Sequence, residues 1–162
     1  YYRGTLIRSE PNAVAVVGSR RCTAYGREMA KRIVTGLVGS GVSVYSGLAR
    51  GIDGAAHRAA LDAGGRTVAV VGGGLDRVYP AEHANMATEI VNAGGAVVSE
   101  YPVGVRPKPE HFPRRNRVIS GMTRGVVVVD NRQPPLVQVL SLIVWQDERE
   151  EWRIVVRIKS VE

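Results

Sequence analysis

The sequence predicts an α/β fold: an open, mostly parallel sheet with helices on both faces. Two observations carry this. Between residues 13 and 129, short runs rich in Val and Ala recur, each closed by glycine or a polar turn residue, and the stretches between them carry helical periodicity. The runs are largely apolar rather than alternating, which suits parallel strands covered on both sides. Each strand-to-strand crossover is then right-handed and lays a helix over a sheet face.

The first unit opens with a strand at residues 13–17 that ends at Gly18. A helix follows from Gly26, where Met29, Ile33 and Leu37 recur at four-residue spacing among Arg27, Lys31 and Arg32, until Gly39 and Gly41 stop it. The unit repeats with a strand at 42–45, a loop at 46–51 and an alanine-rich helix at 52–63 closed by Gly64 and Gly65. Its small side chains allow close packing on the sheet. The third strand is Thr67–Val71, followed by Gly72, Gly73 and Gly74 in a turn that needs positive φ or a close backbone approach. A loop through Tyr79 and Pro80 leads to a helix at 82–92, with Met86, Ile90 and Ala93 at helical spacing, and Gly94 and Gly95 end it before strand Ala96–Ser99. Pro102, Pro107, Pro109 and Pro113 argue against regular helix or central strand over 102–113, which reads as an ordered surface loop. A short helix at 115–122, with Val118, Ile119 and Met122 inward, precedes a final strand at 126–129.

Beyond Asp130 the pattern changes. Residues 136–145 are apolar, 147–151 are charged and 152–159 alternate roughly between apolar and cationic, as in a β-hairpin. Its strands would extend the sheet antiparallel at an edge, with cations guarding the open side. Residues 1–130 are therefore expected to form one core, and 131–162 a divergent edge hairpin of the same domain.

A chain of 162 residues buries the core of one domain. The net charge of +7 belongs to that core, with 17 Lys and Arg against 10 Asp and Glu up to residue 130, and five against five beyond. A basic balance favours polyanions such as nucleic acid or an anionic membrane surface, and is equally compatible with a merely soluble surface. Cys22 stands alone, which excludes an intrachain disulfide or a multi-cysteine metal site and fits a reducing cytosol. No apolar run reaches the length of a membrane span and no basic-then-apolar leader opens the chain. The expectation is a cytoplasmic protein without membrane attachment, metal or cofactor. Tyr1 in place of an initiator Met is what a fragment or trimmed chain would show.

In an open parallel sheet, ligands collect at the carboxyl ends of the strands. Segments 18–25, 46–53, 72–79 and 100–117 all fall there. Gly18-Ser19-Arg20 sits where a dinucleotide fold would place its glycine fingerprint, yet the G-x-G-x-x-G spacing is absent, which disfavours NAD. A helix N-terminus there still attracts phosphate, with Ser19 adding a hydroxyl and Arg20 a guanidinium, although a plain turn with Arg20 solvated reads equally from three residues alone. Asp53 and His57, four apart on one helical face, would suit a hydrolase, but no partnered nucleophile or metal-spaced ligand accompanies them. The preferred reading is that Asp53 caps or anchors its helix and His57 bonds a neighbouring loop. Segment 106–117 gathers Arg106, Lys108, Arg114, Arg115 and Arg117 around Phe112, with Glu110 as its one acid. An aromatic among cations suits single-stranded nucleic acid, the ring stacking a base while cations follow the phosphates. Phe112 tucked into the core, with Arg115 and Arg117 anchored to carboxylates, is the competing reading.

Taken in order, Val17-Gly18-Ser19-Arg20, Tyr25-Gly26, Ser46-Gly47-Leu48-Ala49, Gly51-Ile52-Asp53, Ala56-His57, Gly74-Leu75-Asp76, Tyr79-Pro80, Ser99-Glu100 and Phe112-Pro113-Arg114-Arg115-Asn116-Arg117 resemble the DNA-processing protein A (Smf) family. The resemblance covers residues 1–130. It implies an extended Rossmann-like core that binds and protects single-stranded DNA, without catalysis, and helps to load a RecA-type recombinase during natural transformation. It further implies homodimers and a DNA pocket built from Gly18, Ser19, Arg20, Lys108, Phe112, Arg115, Asn116 and Arg117. After Asp130 the Ser-Gly-Ser-rich turn, further helix and Pro-Gly-terminated strand that the resemblance implies are absent. That fits either a truncated relative with weaker DNA binding or residues missing before Asn131. The alternatives are a phosphoribohydrolase-like enzyme on nucleotides, whose Pro-Gly-Gly-x-Gly-Thr and catalytic Glu have no match in Val71-Gly72-Gly73-Gly74-Leu75-Asp76, and a small-nucleotide sensor using the same pocket.

Overall fold

The computed structural model describes residues 1–8, 10–129, 137–146 and 152–160, the last two stretches as backbone strands. In chain order the described strands are β1 (Tyr2–Gly4), β2 (Ala13–Gly18), β3 (Ser43–Ser46), β4 (Thr67–Val71), β5 (Ala96–Ser99), β6 (Gly125–Val129), β7 (Val137–Gln146) and β8 (Trp152–Ser160). They lie side by side as β1-β5-β4-β3-β2-β6-β7-β8. The five central strands are parallel, while β1 runs antiparallel to β5, β7 to β6 and β8 to β7.

Helices α1 (Ala24–Gly39), α2 (Ile52–Asp62) and α3 (Ala84–Asn92) cover one face, and α4 (His111–Gly121) covers the other. The alternation along each strand decides this. Val16, Val44 and Val127 pack with Ala30, Val34, Ala56 and Ala60, and Ala69, Val71 and Val97 pack with Ala87 and Ile90. Ala15, Tyr45, Val68 and Val70 point the opposite way, toward Ile119. The alanines of α2 let that helix sit close against β2, β3 and β4, as their spacing predicts.

Three elements differ from the sequence reading. β1 has no periodic signal and is exposed throughout, yet it pairs with β5. The helix expected over 82–92 is divided into a 3-10 turn, Ala81–His83, and α3. The proline-rich loop is shorter than expected, because α4 starts at His111 and takes Pro113 as its third residue. In a first turn the N–H that proline lacks has no intrahelical partner to lose. The 147–151 charge run, Asp130 and the side chains of the cations expected to guard the outer edge lie outside what the structure describes.

α2 carries a fully buried histidine. His57 Nδ1 lies 2.8 Å from Thr67 Oγ1, whose own hydroxyl donates to the Val44 carbonyl at 2.7 Å. Both bonds hold when Nδ1 carries the hydrogen and donates, which leaves Nε2 as a bare lone pair without a partner. His57 thus bonds the first residue of β4 rather than a loop, correcting the sequence reading. Burial pulls its pKa down to about 3, and the nearby His83 and Arg115 push the same way. Below pH 6.5 the unfolded chain takes up this proton while the folded chain does not, so acid removes stability at up to about 1.4 kcal/mol per pH unit. Urea denaturation between pH 6.5 and 5 should show this slope, and His57→Gln should remove the His57 share of it.

Candidate nucleic-acid interface

From β2 the chain steps through β3, β4 and β5 to one side, then crosses to β6 on the other side of β2. That reversal opens a crevice at the carboxyl ends of β2 and β6, the usual ligand position in such sheets. Here it is a cleft of about 680 Å³, floored by Val17, Gly18, Val128 and Val129 and walled by Ser19, Arg20, Asp53, Phe112, Arg115 and Asn116 among others. Gly18 is required by this floor, because a Cβ there would overlap the Val129 carbonyl and the Ile52 side chain.

The wall between β3 and α2 is built on one arginine. Arg115, only 3% exposed, donates to the carbonyls of Gly47 (2.6 Å) and Val70, so α4 is fastened across the ends of β3 and β4. Beside it the buried Asp53 accepts from the amides of Gly47 (3.1 Å) and Ala49 (3.4 Å). Burial pushes the Asp53 carboxyl up from its ordinary value, against the pull of Arg115 and the amides of Ala49, Gly47 and Gly18. Asp53 therefore anchors its loop and helix, as the sequence reading prefers. Gly47 lies where a Cβ would collide with both the Arg115 guanidinium and the Asp53 carboxylate. Leu48 follows at φ 57°, an uncommon backbone for a branched residue, fixed by its complete burial. Gly51, at φ 75°, brings the loop against the Ser19 carbonyl, which accepts from the Ile52 amide at 3.1 Å.

On the opposite wall the loops after β4 and β5 are tied together. Ser99 Oγ donates to the Gly73 carbonyl at 2.7 Å, and Asp76 accepts from the Gly104 amide at 2.8 Å. His111 Nδ1 lies 2.9 Å from the Gly72 carbonyl, and its ring stacks on Tyr101 at 4.1 Å. The triple glycine serves close approach rather than positive φ: Phe112 crowds Gly72, Pro107 crowds Gly73 and the Pro102 carbonyl crowds Gly74. At the rim the Arg20 guanidinium lies 4.8 Å above the Phe112 ring centroid, and Tyr79 stands 5.6 Å from the same ring.

The structure divides the sequence-derived site residues. Gly18, Ser19, Arg20, Phe112, Arg115 and Asn116 line the cleft together. Arg115 does so with its guanidinium turned inward onto carbonyls, and Asn116 accepts from Arg115 Nε at 3.3 Å. Arg115 is thus in the cleft wall, as the resemblance implies, and anchored at the sheet end, as the competing reading has it, on backbone carbonyls rather than on a carboxylate. Arg117 pairs with Glu100 and borders a separate recess with Ile119 and Ser120, and Lys108 is exposed but not among the cleft lining. Tyr79, Tyr101 and His111 were not singled out by spacing. Tyr79 alone left a signal, an exposed aromatic beside proline in a strand-end loop.

A doubly wound α/β sheet with an arginine-capped aromatic beside the cleft at its switch point defines a Rossmann-like binding protein. The chain belongs to the DNA recombination-mediator protein A family, whose model matches residues 1–134. Protein Smf of Escherichia coli K12 is 49% identical over 130 residues, covering 80% of this chain and 35% of that protein. DNA processing protein DprA of Streptococcus pneumoniae R6 is 43% identical over 158 residues, covering 98% of this chain and 54% of its own length. The crystal structure of DNA processing protein A from S. pneumoniae superposes with a TM-score of 0.71 at 43% identity, over 78% of this chain and 44% of that one. DNA processing protein A from Helicobacter pylori, described for its single-stranded DNA binding mode, gives 0.70 at 28% identity, over 80% and 59%. The chain thus spans between 35% and 54% of the length of the two curated relatives.

Replacing Arg115 with Met leaves the Gly47 and Val70 carbonyls without the Nη1 donor they share and takes the positive charge from beside Asp53. Urea denaturation should register a loss on the order of 3 kcal/mol.

Proposed function

We propose that this protein binds single-stranded DNA in the cleft at the ends of β2 and β6, without catalysing a reaction on it. The observation that carries the reading is the Arg20–Phe112 pair at the mouth of the cleft, a flat cation and a ring supplied by two different loops. A ring can stack a base while an adjacent guanidinium takes phosphate, and neither contact needs a particular sequence. The Ser19 hydroxyl, in the cleft wall, and the exposed Lys108 supply further contacts to the backbone. The family membership and the single-stranded DNA binding described for the H. pylori relative support the same reading.

Protection of the bound strand and its delivery to a RecA-type recombinase, by a homodimer acting in the cytoplasm, complete the proposal. Among the described residues no helix is long and apolar enough to cross a membrane. A non-catalytic role is supported by the state of the pair a hydrolase would use, since His57 is fully buried and Asp53 is engaged by backbone amides.

Titration of labelled oligothymidylate at several salt concentrations tests the proposal. With about three phosphate contacts at ~0.7 each, log affinity should fall with log salt at a slope near −2. Arg20→Ala should flatten that slope by roughly 0.7. Phe112→Ala should cost about 1–3 kcal/mol of binding, and an unchanged affinity would remove the ring from the site.

A further inference from the structure

We propose that Tyr79 and Arg50 form a second nucleotide position beside Phe112, Tyr79 stacking the neighbouring base and Arg50 taking the phosphate between them. The inference rests on the reading of the cleft as a single-stranded DNA site and extends that site past its mouth.

Tyr79 is 49% exposed, so its ring is not a core side chain. It touches Phe112 at 5.6 Å between centroids with the planes 43° apart. At that separation no base fits between the rings, so the base on Tyr79 takes its outer face and the base on Phe112 displaces Arg20 from the ring, and the tilt suits two successive bases splayed apart. A small recess lined by Arg20, Ala49, Arg50, Tyr79, Pro80 and Phe112 joins the two platforms. Arg50 stands on its border with its side chain 59% exposed, held by Glu82 through Nε and Nη2 at 2.9 Å each. That bidentate grip uses two of the five N–H donors of the guanidinium and leaves three for a phosphate. Glu82 therefore aims the fork at the rim, while its own charge opposes a polyanion.

The test measures fluorescence anisotropy on oligothymidylate with the 162-residue protein. Tyr79→Leu should weaken binding roughly 5- to 150-fold, the range for one base–aromatic stack, and Tyr79→Phe should leave it unchanged. Placed on the Phe112→Ala background, Tyr79→Leu should weaken binding again, which a tyrosine that merely props Phe112 would not do. Glu82→Gln should tighten binding by freeing Arg50. In the unsubstituted protein, 5-iododeoxyuridine placed at single positions should photocrosslink to Phe112 and Tyr79 from adjacent nucleotides. Crosslinks to Phe112 alone, or no further loss on the Phe112→Ala background, would overturn the second position while leaving the first. Unchanged or weaker binding by Glu82→Gln would remove Arg50 from it. Failure of the unsubstituted protein to bind at low salt would overturn the reading of the cleft itself.

Discussion

The rim of this sheet is organised by one buried guanidinium. Arg115 ties α4 to the carbonyls at the ends of β3 and β4, and it stands beside the carboxylate that gathers the 47–49 amides. Strand ends in an open sheet leave carbonyls without ladder partners, and burying them needs donors. Both bonds come from one guanidinium nitrogen, Nη1, whose two hydrogens lie in the fixed plane of the group. Because α4 carries Phe112 three residues before Arg115, the same anchor sets where the half-buried ring stands.

The second constraint is backbone proximity. Gly18, Gly47 and Gly51 each lie where a Cβ would strike a carbonyl or a charged group of another element. Loops brought this close share hydrogen bonds, as Ser19 and Ile52 do, and so behave as one surface rather than three flexible segments. The cleft is thereby preorganised, its walls fixed by contacts that a ligand neither makes nor breaks. Side chains at its mouth, Arg20 and Tyr79 above all, keep the freedom to adapt.

Much of this was legible in the residues. The strands β2 to β6 and the helices between them follow from apolar runs and four-residue spacing, and the gathering of unusual residues at one rim follows from parallel topology. Arg115 illustrates the limit. Within a basic run it looks like its neighbours Arg114 and Arg117, and only the approach of Gly47 and Val70, distant in sequence, separates a structural cation from a solvated one. β1 was hidden for a related reason, since three exposed residues carry no periodicity and their pairing with β5 is wholly non-local. Pro113 misled because a breaker inside a helix is a good fit in its first turn.

The guanidinium resting on Phe112 has one more consequence. An uncovered phenylalanine at a cleft mouth would be an adhesive spot for any greasy surface or for a second molecule of the same kind. With a hydrophilic lid over one face, the ring stays quiet in the empty protein. A nucleobase stacked on that face, as proposed, would push the lid aside and release the positive charge beside the incoming backbone, so that one movement would uncover the platform and ready its electrostatic partner.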